Sequence, residues 1–270
     1  MGQTGRNMTQ TAPDIQLHDH IDPARLAALN TVLGVEGARA HPFAHQVFFW
    51  DVQPADQLGR DGHPRVGGLI PDLGLPRRMW AGGRLEFHAE LRLGMVATKV
   101  SVLERAERKS GRSGALGVVT LRHEIRQDGA LVLTDWQDLI YREAASGPHV
   151  TNSVAAPAGE TLCEARAFTT TELFRYSALT LNGHRIHYDR DYARDVEGYP
   201  GLVVHGPLLA QYLMLMAERE LGGLAAFSFR AQAPVFDFER VSLCAKPGQD
   251  GLEMWVRGPD GRLCMSASAQ

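Results

Sequence analysis

The sequence predicts an α+β protein built twice over, with helical material first and long antiparallel strands after it in each half. Two observations carry this. Residues 84–141 read as successive strands of alternating apolar residues separated by turns, and residues 207–220, PLLAQYLMLMAERE, form a helix that is apolar nearly all round. A helix of that kind is buried rather than laid on a surface. An antiparallel sheet buries a core only when its apolar face is covered. The sheet is therefore expected to wrap the helix, whose length of about 20 Å at 1.5 Å per residue is far short of a membrane span.

Taken in order, a first amphipathic helix is expected over residues 23–32, with Asp22 as its cap, Pro23 in its first turn and Leu26, Leu29 and Val32 or Leu33 at helical spacing. HQVFFWDV, residues 45–52, is strongly apolar and fits a short buried helix or a strand. Residues 59–78 are rich in Gly and Pro and read as loop. Strands follow over 84–93, 96–103, 116–127 and 131–141, with a basic, Gly-rich hairpin tip at 109–114 and a tight turn at Asp128-Gly129. Residues 144–160, AASGPHVTNSVAAPAGE, are small, polar and proline-containing and are expected to be a linker. This gives an N-terminal domain over 1–143 and a C-terminal one over 161–270. The second half opens with a short segment at Phe168, a helix from about Thr171-Glu172, an irregular stretch and the apolar helix over 207–221. Strands over 226–233, 242–246, 252–257 and 263–267 complete it. The repeat is one of architecture, without residue-level similarity between the halves.

Composition bounds the function. The chain has 270 residues, 44% of them hydrophobic, which is enough for a sizeable core. With a net charge of -3 and 22% charged residues neither sign dominates, so neither a nucleic-acid surface nor an acidic tail is indicated. Cys163, Cys244 and Cys264 are odd in number and lack a CxxC, so neither a disulfide framework nor a structural zinc is expected, and a reducing, cytoplasmic setting fits. The first residues lack an apolar signal region, and no apolar run approaches the roughly 20 residues of a bilayer crossing. No membrane partner is expected.

Two clusters carry the chemistry. YSALTLNGHRIHYD, residues 176–189, crowds Tyr176, Asn182, His184, Arg185, His187 and Asp189 between core-forming segments. Such polar groups are costly to bury without a purpose, and histidine is the side chain suited to proton transfer near neutral pH. His184 and His187 could also be a metal pair, but the sequence singles out no third ligand, so no metal is expected. The second cluster is Val203-Val204-His205-Gly206-Pro207. Pro207 starts a helix at or beside Gly206, whose N–H and lack of a side chain suit a carbonyl oxygen acquiring negative charge. A plain loop-to-helix junction has the same look, and the upstream His187 segment tips the balance toward function.

The pair YSALTLNGHRIHYD and YPGLVVHGPLLAQYL resembles the MaoC-type hydratases of the hot-dog superfamily, and more closely their two-part branch. That branch holds the mitochondrial-type 3-hydroxyacyl-thioester dehydratases and the mesaconyl-C4-CoA (3-methylfumaryl-CoA) hydratases. RMWAGGRLEFH, residues 78–88, resembles the N-terminal half of the branch. The resemblance implies a double hot-dog, two antiparallel sheets each wrapped around a helix, the N-terminal one degenerate and the C-terminal one catalytic. It implies that His187 is the catalytic histidine and that Gly206 gives its N–H to the thioester carbonyl. Asn182 falls where the family has an aspartate that helps hold the catalytic water. An amide cannot take a proton but can orient a water, so His187 is expected to carry both proton steps, or Asp189 to assist it. His184, Asp189 and Tyr176 are candidates for support.

The implied reaction is reversible hydration of an enoyl thioester, with CoA as part of the substrate and no cofactor. The likeness to mesaconyl-C4-CoA hydratases suggests a short, branched, dicarboxylic acyl group, whose free carboxylate would want a guanidinium. Arg84, Arg175 and Arg185 are candidates, and no spacing selects one. The N-terminal half is expected to shape the acyl pocket or the CoA groove. Rivals are a fatty 3-hydroxyacyl-thioester dehydratase, an acyl-CoA thioesterase and a non-catalytic acyl-thioester binding protein. The thioester could be carried by CoA or an acyl-carrier protein. A homodimer is a candidate assembly, since hot-dog sheets commonly pair edge to edge.

Overall fold

The structure is a computed structural model that describes residues 14–111, 114–144 and 153–270. Part of the expected linker, residues 145–152, and part of the hairpin tip, residues 112–113, lie outside the described residues.

The first half contains β1 (Ile15–His20), α1 (Pro23–Leu33), β2 (Arg77–Phe87), β3 (Val96–Gly111), β4 (Gly114–Gln127) and β5 (Ala130–Arg142). The second contains β6 (Leu162–Ala167), α2 (Thr170–Thr180), α3 (Gly206–Leu221), β7 (Ala226–Ala231), β8 (Arg240–Pro247), β9 (Leu252–Arg257) and β10 (Leu263–Ala269). The strands run β1-β3-β4-β5-β2-β7-β10-β9-β8-β6 in one ten-stranded sheet. Read outward from its centre, each half has the same order: the strand after the helices, then the last, fourth and third strands, then the first. The expected double hot-dog is thus the fold observed. The two sheets are continuous because β2 and β7 pair antiparallel from Gly82↔Arg230 to Glu86↔Ala226.

That seam explains why residues 59–78 read as loop too far into the chain. Gly82 and Gly83 look like strand breakers, yet a Cβ on Gly82 would stand 2.6 Å from the Phe229 carbonyl oxygen, and one on Gly83 3.1 Å from the Phe229 ring. The glycines permit this approach, and a register shift between Trp80 and Gly82 carries the strand through it. HQVFFWDV resolves as a single 3-10 turn, Ala44–Val47, followed by extended backbone at Phe48. Phe43, Val47, Phe48 and Phe49 are buried there with α1 residues Leu26, Leu29 and Leu33. Asp22 caps α1 as expected, its Oδ1 accepting from the Ala24 N–H at 2.9 Å.

The core is organised around α3. Leu208, Leu213, Met214 and Ala217 are fully buried, and Leu209, Leu215 and Met216 nearly so. Each such leucine contributes about 1.5–3 kcal/mol on leaving water. No helix among the described residues is long and apolar enough to cross a membrane.

A polar knot sits inside the first half. Asp135 is 1% exposed. Its Oδ2 accepts from His45 Nε2 at 3.1 Å, Gln46 Nε2 at 3.0 Å and Gln137 Nε2 at 3.0 Å. Burial pushes its carboxyl up, but the His45 hydrogen bond and charge, with the other donors, hold it below its ordinary value. Asp135→Ala is expected to leave these donors without an acceptor and to cost about 3 kcal/mol in urea unfolding. A loss under 1 kcal/mol would mean that solvent reaches the site.

Candidate active site

α2 ends at Leu181, which adopts the left-handed conformation, and Asn182 donates its N–H to the Ser177 carbonyl at 2.9 Å. Asn182 Oδ1 then accepts from the His184 N–H at 3.1 Å, folding residues 182–184 into a tight turn. One 3-10 turn, Arg185–His187, follows. His187 is 6% exposed. Its Nδ1 lies 2.7 Å from the Val203 carbonyl oxygen. A carbonyl only accepts, so Nδ1 carries the proton and Nε2 holds a free lone pair. Burial lowers the imidazole's basicity, and the Val203 carbonyl only partly restores it. The pKa settles at about 4, so His187 is neutral near pH 7 and able to receive a proton.

Val203 is also tied to the turn through its N–H, bonded to Ile186 O at 3.0 Å. Three residues on, Gly206 opens α3, followed by Pro207, which has no N–H. Among the described residues the Gly206 N–H has no acceptor. A free proton acceptor and a free helix N-terminal donor are thus linked through one short segment. His205 stiffens that link. It is fully buried, stacks on His187 with ring centroids 3.7 Å apart, and shares a hydrogen bond with Ser177 Oγ at 2.8 Å. Burial holds its basicity well below the usual value, with the neighbouring His187 adding to the effect. Tyr176 is buried edge-on to His205 at 5.0 Å, which gives it a packing role beneath the site.

Gly206 is not a glycine for the sake of the fold. A Cβ there would meet only the Trp80 carbonyl oxygen, at 3.8 Å, an ordinary contact. A side chain would instead crowd whatever approaches the N–H. Gly206→Ala is expected to leave the melting temperature unchanged or slightly raised while lowering kcat/KM about 10- to 100-fold. Loss of stability with kcat/KM unchanged would assign the glycine to packing.

The first half supplies the other wall. Gly62 has a positive φ of 90°, and a Cβ on it would lie 2.0 Å from Gly183 O. The two backbones can meet only as glycines. Arg185 fastens the contact, its N–H donating to Asp61 O at 2.9 Å and its Nη1 to Arg60 O at 3.2 Å. This seats the His63 ring 4.6 Å from that of His184, which in turn lies 5.5 Å from His187. Burial, then the nearby His63 and His187, push His184 far below the usual histidine range.

Several candidates prove to be committed elsewhere. Asp189 accepts from Arg185 Nη2 at 2.7 Å and Nε at 3.0 Å, and from the Tyr192 N–H at 3.0 Å. The Tyr192 and Arg185 bonds hold it below its ordinary value. It anchors the turn and is not free to assist His187. Arg185 is correspondingly occupied. Arg84 is exposed on β2 with its guanidinium 3.9 Å from the Trp136 ring centroid, and Arg175 is exposed on α2. Among the described residues no contact joins either to the histidine cluster. Sequence reasoning passed over His63, Arg78, Ser177 and His205; Ser177 and His205 lay inside the two clusters singled out for chemistry and Arg78 opened the RMWAGGRLEFH segment, while His63 stood outside all of them.

Asp61, His63 and His184 bring three donor atoms within 4.8 Å of one another, a spacing a cation could use. However, Asp61 and His63 already bond each other at 3.1 Å, and the charge of Arg78 acts on all three side chains. That neighbouring positive charge disfavours a cation there.

Comparisons with known proteins decide the family. A profile described as hydroxyacyl-thioester dehydratase type 2 matches residues 43–237. The chain belongs to this family. It is 44% identical over 231 residues to the mesaconyl-C(4)-CoA hydratase of Chloroflexus aurantiacus, covering 85% of this chain and 82% of that one. Among solved structures, a MaoC-like dehydratase from Phytophthora capsici superposes with a TM-score of 0.73 at 11% identity, covering 96% of this chain and 95% of that one. A Mycobacterium tuberculosis protein described as having a double hot-dog fold gives 0.62 at 14%, covering 96% and 95%. At such identities the structural likeness speaks for the fold. The relatedness in sequence makes this chain a hydratase/dehydratase of the hot-dog type.

Proposed function

We propose that the chain reversibly adds water to a short, branched, dicarboxylic enoyl-CoA such as mesaconyl-C4-CoA. The observation that carries the chemistry is the linkage of His187 and Gly206 through Val203, which sets a neutral imidazole acceptor beside a free helix N-terminus. The 44% identity to a mesaconyl-C(4)-CoA hydratase supports the acyl class.

In this reading the Gly206 N–H and the α3 dipole polarise the thioester carbonyl, making the β-carbon electrophilic. A water oriented by the side-chain NH2 group of Asn182, whose Oδ1 is engaged with the His184 N–H, forms the new C–O bond at the β-carbon. Its proton passes to His187 Nε2, and the alkene electrons move to the carbonyl as an enolate. The His187 imidazolium then returns a proton to the α-carbon, restoring the neutral base. The cycle calls for no cofactor, because CoA belongs to the substrate. The odd cysteine count supports work in the cytoplasm, and the outer strands β1 and β6 leave sheet edges on which a homodimer could form.

The test is loss of the conjugated-thioester absorbance with mesaconyl-C4-CoA, crotonyl-CoA and a trans-2-decenoyl thioester. The expected order of kcat/KM places mesaconyl-C4-CoA first. Preference for the decenoyl ester would assign the chain to fatty 3-hydroxyacyl thioesters.

A further inference from the structure

The side chain that sets Arg78 apart is its own. The other buried or half-buried arginines among the described residues each hold a carboxylate: Arg25 has Asp19, Arg77 has Glu197, Arg122 has Glu104, Arg126 has Glu124, Arg166 has Glu172, Arg185 has Asp189, Arg257 has Glu160 and Arg262 has Glu239. Arg78 is half-buried and makes no ion pair within 4.0 Å to any described residue. Asp61, the carboxylate that feels the Arg78 charge, is bonded to His63 and does not pair with it. A guanidinium withdrawn from water without a carboxylate in contact is costly, and a site that binds an anion would account for it.

Its position fits that role. Arg78 lies on β2 two residues before Trp80, whose carbonyl oxygen faces Gly206. Its charge lowers the basicity of both His63 and His184, which border His187. Across the sheet it pairs with Tyr141, which is 4% exposed and whose hydroxyl has no hydrogen-bond partner among the described residues. Burial raises the Tyr141 hydroxyl, and Arg78 is the charge that opposes the rise. An unpaired guanidinium and an unpaired buried hydroxyl therefore stand together beside the histidine cluster.

We infer that Arg78 and Tyr141 form a subsite for the free carboxylate of the acyl group. This rests on the proposed substrate class, in which the carboxylate is attached to the carbon that water attacks. Its partner must then border His187, where neither Arg84 nor Arg175 stands. The guanidinium fork donates two N–H bonds to a carboxylate, and the phenol adds a third donor. In a substrate with an alkyl chain at that carbon these donors would stay unpaired, so the subsite selects for charge as well as binding it.

Succinyl-CoA and butyryl-CoA test the assignment without turnover. Both are saturated at the reacting carbons, and they differ in carrying a carboxylate or a methyl on the β-carbon. By calorimetry the wild type is expected to bind succinyl-CoA roughly 30-fold or more tighter than butyryl-CoA. Arg78→Met brings that ratio to about one through loss of succinyl-CoA affinity, and Tyr141→Phe lowers it several-fold. Thermal melts check folding, and if Arg78→Met does not fold, Arg78→Lys and Tyr141→Phe must both lower the ratio. A wild type without the preference, or an Arg78→Met protein that keeps it, overturns the subsite. A wild type that shows the ratio yet hydrates no enoyl-CoA overturns the hydratase reading and leaves the subsite standing.

Discussion

His187→Ala is expected to lower kcat for enoyl-CoA hydration by about 10²- to 10⁴-fold, with little change in the affinity for a saturated acyl-CoA. Among the described residues at the site, the imidazole is the one group with its Nδ1 proton fixed on a carbonyl, Val203 O at 2.7 Å, and its other nitrogen free. Removing it takes away the acceptor of the water proton but leaves the Gly206 N–H in place. The pH profile gives the same argument a sign. Burial lowers the His187 pKa from 6.5 to about 4, so the base is already unprotonated well below neutrality. The acid limb of kcat/KM is expected near pH 4 and not near 6.5, since that limb reports the free enzyme. A limb at 6.5 would mean that the acceptor is a solvated imidazole. A His187→Ala protein that retains kcat would remove the residue from the chemistry.

The second large effect is on stability. His123 and His187 are both buried, with burial lowering each pKa from 6.5 to about 4, and His184 and His205 are depressed as well. Between pH 6.5 and 4 the unfolded chain binds protons at these sites that the folded chain refuses. Stability therefore rises with pH across this window and is lost as pH falls through it. Each group withdraws up to about 1.4 kcal/mol per pH unit, so His123 and His187 alone can remove about 3 kcal/mol apiece. That is a large part of the roughly 5–15 kcal/mol of a typical domain. Urea midpoints measured from pH 7.5 to 4.5 are expected to drop steeply below about 6. A flat profile would mean that these imidazoles are charged or solvated in the native state.

How much of this was legible follows from where each signal resides. The helix α3 announces itself because it is apolar on every side, and strands β3 to β5 because their alternation is long. The edge strands β1, IQLHDH, and β6, LCEARA, escape such a reading. Each pairs on one side only, most of their outer residues are exposed, and short polar sequences suffice there. His187 and Gly206 were readable because each lies in a compact local motif. Arg78, Tyr141 and His63 were not, because the first half brings them to the turn that carries His187 by tertiary packing. The Gly62–Gly183 contact joins segments far apart in the chain, and no local pattern encodes it. Asp189 and Arg185 misled for the opposite reason: they are close in sequence to His187 yet satisfy each other, four residues apart.

The most direct test of the central claim is turnover of mesaconyl-C4-CoA in ¹⁸O-labelled water, followed by mass spectrometry of the intact thioester. Hydration by the His187 and Gly206 pair predicts one labelled oxygen in a new hydroxyl on the β-carbon, no release of free CoA, and loss of the product with His187→Ala. Label in a released carboxylate, together with free CoA thiol, would contradict it and make the protein a thioesterase.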